Sequence, residues 1–68
     1  MTERVLHVMG LDETTEESIA RILNAINGVD GVHTSSTENT ITVELDEDVP
    51  TEMLRAAVEG AGMKVIDA

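Results

Sequence analysis

Near the N-terminus, Asp12, Glu13, Glu16 and Glu17 crowd into one short stretch. Carboxylates so close together suit hard cations such as Ca²⁺, Mg²⁺ or Mn²⁺ rather than Cu(I). The stretch lacks the ligand spacing and glycine of a calcium loop. Its plainer reading is a set of helix-start carboxylates on an acidic protein. Met9, beside Gly10, offers a thioether suited to Cu(I). Met1, Met53 and Met63 form no Met-x-Met cluster with it, and core filling accounts for Met63 and Met53. His7 and His33 are the two imidazoles. There is no cysteine, so disulfides and thiolate metal sites within the chain are excluded. No Ser-His-Asp or Cys-His arrangement emerges, and catalysis is not expected.

Composition narrows the field. At 68 residues the chain makes one domain, spanning 1–68, with a modest core and little room for a substrate cavity. Phe, Tyr and Trp are absent, so the core is aliphatic and there are no stacking platforms for single-stranded nucleic acid. Fourteen acidic residues face four basic ones, which repels phosphate. The acidic residues alternate with regularly spaced apolar ones, unlike a disordered tail. The pattern resembles proteins of salt-accumulating halophiles, in which high salt screens self-repulsion. No apolar run approaches the roughly 20 residues of a membrane span, and the start of the chain reads as a strand rather than a leader. A soluble, cytoplasmic protein is expected, with no nucleic-acid or membrane partner.

The elements that must position these residues follow from periodicity. Arg4–Met9 alternates as a strand, with Leu6 and Val8 on one face and Val5, His7 and Met9 on the other. A helix is expected to start near Thr14 or Thr15, where Thr14 and Glu17 have capping-box spacing. Its stripe is Ile19, Ile22, Leu23 and Ile26, and Asn27-Gly28 ends it. Gly31–Ser36 reads as a strand with Val32 inward and His33 opposite. Thr37-Glu38-Asn39 is a hairpin turn. Thr40–Leu45 alternates strictly, and Asp46-Glu47-Asp48 is an acidic loop. Pro50 opens a second helix with Leu54, Ala57, Val58 and Ala61 inward. Gly62 ends it, and Met63–Ile66 is a last strand. The order β-α-β-β-α-β, with right-handed crossovers, gives an α+β, ferredoxin-like sandwich: a four-stranded antiparallel sheet with both helices on one face.

That topology separates His7 from His33 by two strand spacings, roughly 10 Å. One ion with bonds of about 2 Å cannot use both. It also brings the first and last strands together. Val5, Met9 and Ile66, flanked by His7 and Lys64, then form a small apolar patch on the open sheet face. Such a patch suits a protein partner or a homodimer seam.

Several spacings resemble the heavy-metal-associated domain family, which includes copper chaperones and N-terminal modules of metal-pumping ATPases. Val8-Met9-Gly10-Leu11 is similar to the family's Val-x-Gly-Met. Gly28-Val29-Asp30-Gly31-Val32 is similar to its Gly-Val-x-x-Val, and Ile41-Thr42-Val43 to its third strand. Leu54 to Gly62 resembles its second helix, which ends in Ala-Gly before an aromatic; here the next residue is Met63. The resemblance implies this fold and a link to metal trafficking. The family's x-Cys-x-x-Cys after Gly-Met is missing. Counting from Gly10 puts Glu13 and Glu16 at the cysteine positions, whereas counting back from Gly28 makes the segment one residue shorter. No ligand carries over, and the identity of any metal stays open. Two functions remain: a metal chaperone-like protein with an atypical or partner-completed site, or a metal-free interaction or regulatory module.

Overall fold

A computed structural model describes residues 2–67. The chain runs β1 (Thr2–Met9), α1 (Glu13–Asn24), β2 (Val29–Ser35), β3 (Thr40–Leu45), α2 (Thr51–Gly60) and β4 (Lys64–Asp67). The strands form one sheet in the order β2-β3-β1-β4, and each neighbouring pair is antiparallel. This is the ferredoxin-like β-α-β-β-α-β architecture expected from the sequence. Met1 and Ala68 lie outside the described residues, so the expected 1–68 span is described over 2–67.

Alternation decides which side of the sheet is covered. Leu6 and Val8 of β1 and Ile41, Val43 and Leu45 of β3 are buried, facing Ile19 and Leu23 of α1 and Leu54 and Val58 of α2. Leu11, Val49 and Met63 close the core from the connections. Fully burying an aliphatic side chain contributes about 1.5–3 kcal/mol. Among the described residues no polar or charged side chain is buried. The core therefore needs no internal hydrogen-bond network.

Several boundaries differ from expectation. β1 starts earlier, at Thr2, because it pairs with β3 from Thr2↔Leu45 to His7↔Thr40. β2 begins at Val29, where a register shift before Gly31 lets the strand join early. β4 begins at Lys64, because Met63 turns into the core. α1 starts at Glu13 with Asp12 as its cap, not at Thr14 or Thr15. It ends at Asn24 with Ala25 as C-cap, and Gly28, at φ 98°, turns the chain into β2. The expected inner stripe of α1 narrows, because Ile22 is 39% exposed while Ile19 and Leu23 are buried.

Candidate functional site

The β1–α1 connection holds the candidate carboxylate and thioether ligands, whose plainer reading is structural. Gly10 adopts φ 95°, which turns the chain out of β1. Leu11 then drops into the core and fixes the start of the loop. Asp12 is extended and caps the helix. The Thr15 backbone N–H donates to Asp12 Oδ1 at 2.9 Å, and the Asp12 backbone N–H donates to Thr15 Oγ1 at 2.7 Å. This reciprocal pair is a capping box, and it satisfies two backbone donors at the helix start. The Thr15 hydroxyl also lies 3.2 Å from the Gly10 carbonyl oxygen. Hydrogen bonds from the backbone N–H and then the hydroxyl of Thr15 hold the Asp12 carboxyl below the usual carboxylate range. A smaller desolvation effect opposes them.

The other acidic residues do not converge on this loop. Glu16 Oε2 accepts a 2.8 Å hydrogen bond from the Thr34 hydroxyl on β2. Glu17 pairs with Arg21 one turn along the helix, at 3.5 Å between exposed side chains. Glu13 is exposed. Among the described residues, no three His, Asp or Glu side chains come close enough to hold one ion together. The donor set after Gly10 thus fits neither a soft ion, which wants thiolates, nor a caged hard cation.

The methionines divide. Met63 is 4% exposed and fills the core as expected. Met53 does not: it is 47% exposed, because Leu54 and Val58 take the inward positions of α2 and Met53 falls to one side. Met9 is 56% exposed on the open face, opposite Lys64. Met1 lies outside the described residues.

The open sheet face carries the remaining candidates in rows. Val5 opposes Thr42, which opposes His33; His7 opposes Thr40, which opposes Ser35. His7 and His33 are therefore on β1 and β2 with β3 between them. His33 Nε2 lies 3.0 Å from Glu44 Oε1, and Glu44 itself opposes Glu3. Val5 is 41% exposed and Ile66 62%. Ile66 lies in the register shift between the pairs His7↔Asp67 and Val8↔Val65. The same end of the sheet thus presents Met9 and Ile66 beside Lys64.

One feature was missed from the sequence. A groove of about 310 Å³ opens at the other end of the sheet, lined by Asn27, Gly28, Asp46, Asp48, Val49, Pro50 and Met53. The Asp46-Glu47-Asp48 run read only as an acidic loop. The visible signal was an apolar Val49-Pro50 next to those carboxylates.

No family model matches the sequence, and no curated protein matches it. The solved structures are informative. The CopZ metallochaperone is 22% identical, with a TM-score of 0.92 over 96% of this chain and 100% of its own. A copper-binding domain from a P-type ATPase is 23% identical, with a TM-score of 0.90 over 100% of this chain and 95% of its own. The fold is that of heavy-metal-associated domains. The N-terminal domain of a potential copper-translocating P-type ATPase from Bacillus subtilis, solved in its Cu(I)-loaded state, is 25% identical. It has a TM-score of 0.85, over 93% of this chain and 81% of its own. The resemblance read from the sequence thus holds across the fold. The cysteine-free sequence of this chain sets its loop apart from the family motif. Among the described residues no helix is long and apolar enough to cross a membrane.

Proposed function

We propose that this chain is a non-enzymatic, metal-chaperone-type domain that acts by docking on a protein partner and carries no soft metal ion on ligands of its own. The carrying observation is the donor set of the β1–α1 loop: no cysteine in the chain, and an Asp12 carboxylate committed to Thr15. The docking surface is the open sheet face around Val5, His7, Met9 and Ile66. Its partner has a basic rim around an apolar centre, because the chain carries a formal charge of −10 and Glu3 and Glu44 border the face. The charge also fits a salt-rich cytoplasm, where screening relieves self-repulsion.

A second reading keeps the trafficking of copper that the neighbours' names describe. In it, Met9 supplies a thioether to Cu(I) and a partner completes the site. The exposure of Met9 next to Gly10 favours it.

An NMR titration of the labelled protein in molar KCl with Cu(I), Zn²⁺, Ca²⁺ and Mn²⁺ in turn decides between them. Docking without metal gives no saturable, localised change between Met9 and Glu17. A saturable change centred on Met9 with Cu(I) overturns it in favour of the second reading. A change centred on Asp12 to Glu16 with a divalent ion restores the loop as a hard-cation site. The salt argument has its own check: the thermal unfolding midpoint rises steadily from low salt to molar KCl, and a flat profile removes the halophile assignment.

A further inference from the structure

The β1–α1 loop admits two registers against the family motif, and the structure gives the two candidate pairs different contacts. Counting from Gly10 selects Glu13 and Glu16. Counting back from Gly28 with a one-residue-shorter loop selects Asp12 and Thr15. Both pairs have the same i, i+3 spacing, so sequence alone leaves them equal. In the structure Glu16 is turned away to Thr34 on β2, whereas Asp12 and Thr15 face each other across the first turn, with Thr15 Oγ1 3.2 Å from Asp12 Oδ1.

We infer that Asp12 and Thr15 form a metal-independent clasp at the pair of positions that the family motif gives to thiolates. The inference rests on the proposed absence of a loop ion and deepens it by naming what closes the loop instead. An ion held by two residues three apart would join the strand end to the first helical turn. The clasp makes the same connection with two backbone-to-side-chain hydrogen bonds. Thr15 Oγ1 also approaches the carbonyl oxygens of Gly10 and Asp12, at 3.2 and 3.1 Å. One threonine therefore gathers the strand exit, the cap and the first turn. Leu11 and the left-handed turn at Gly10 shape the rest of the loop.

Two measurements test this. The first is amide hydrogen exchange with and without excess EDTA. Protection of the Asp12 and Thr15 amides is unchanged by EDTA in the unmodified protein, and Thr15→Val speeds exchange at Asp12 about fivefold, the scale of a lost cap. Protection that disappears with EDTA overturns the metal-free reading as a whole. Protection at Asp12 that survives Thr15→Val overturns the clasp alone. The second compares two cysteine pairs with Cd²⁺ as the probe, read by thiolate-to-metal charge-transfer absorbance. D12C/T15C binds one Cd²⁺ per chain, and E13C/E16C binds none at the same concentration. If D12C/T15C is poorly folded without its cap, Cd²⁺ restores its helical circular dichroism. Cd²⁺ binding by E13C/E16C, or no binding and no refolding by D12C/T15C, overturns the register while leaving the metal-free function standing.

Discussion

The two helices begin in different ways. α1 starts on polar contacts: Asp12 and Thr15 bond reciprocally at the surface, and Glu16 reaches Thr34 on the next strand in a part-buried hydrogen bond. α2 starts on packing. Its cap is Pro50, which makes no side-chain cap bond, and the preceding Val49 is 8% exposed in the core. The Asp46 N–H donates to the Gly28 carbonyl at 2.8 Å and ties the β3–α2 loop to the end of the α1–β2 connection. Both starts are anchored by an apolar residue just before the cap, Leu11 and Val49, each 8% exposed, but only α1 adds side-chain hydrogen bonds. The polar solution sits where the family motif places its metal ligands. Asp12 and Glu13 are exposed, so substitutions at these two positions leave the core, Leu11 included, in place.

The packed start is the more fragile. A Cβ at Gly28 would stand 2.6 Å from Val49 Cγ2, and the residue sits at φ 98°. Gly28→Ala therefore combines left-handed backbone strain with overpacking and lowers stability by roughly 2–4 kcal/mol in urea denaturation. If the contact with Val49 carries much of that cost, Gly28→Ala and Val49→Ala together cost less than their sum. Full additivity would mean that backbone strain alone is responsible, and the α2 start would then owe less to packing than the comparison requires.

How legible each region was in the sequence follows the same division. β3 was readable residue for residue, because the alternation of Ile41, Val43 and Leu45 with Thr40, Thr42 and Glu44 has one solution when one face is buried. The sheet order followed from connection rules, and with it the separation of His7 from His33. The α1 start was misread, because Thr14 and Glu17 fit one capping template while Asp12 and Thr15 make the box actually formed. Cap templates a few residues apart compete, and the earlier one, Asp12 with Thr15, is the one that forms. Met53 was misplaced for a related reason: a flexible apolar residue beside Leu54 fits a core until the helix phase is fixed by Leu54 and Val58. The groove at Asp46 to Met53 showed in the sequence only as an apolar Val49-Pro50 beside carboxylates, since it joins the end of one connection to the start of another helix.

The polar start yields a smaller effect than the packed one. Thr34→Val removes the hydroxyl that donates to Glu16 without changing side-chain volume much. It costs about 1 kcal/mol, the usual net worth of a hydrogen bond, by urea denaturation. A cost equal to that of Gly28→Ala would put the two helix starts on the same footing and remove the contrast. No measurable cost would leave the clasp as the main polar tie of α1.

The finest test of the contrast is pH. Hydrogen bonds from Thr15 hold the Asp12 carboxyl below the ordinary carboxylate range in the folded protein. A group whose folded value is depressed stabilises fully above its unfolded value, near about 4 for Asp, and loses that contribution as pH falls through the folded value. The unmodified protein should therefore lose stability more steeply than Asp12→Asn as pH falls through the acid range. Asn is itself a good cap, so the two remain similar at neutral pH. The neighbouring Glu13 and Glu16 are present in both proteins and largely cancel in the difference. Parallel midpoint-versus-pH curves would show that Asp12 gains nothing from its charge, and the α1 start would then be held by hydrogen-bond geometry alone. Diverging curves would show the loop closed by an ionised clasp, sensitive to acid in a way that the packed start of α2 is not.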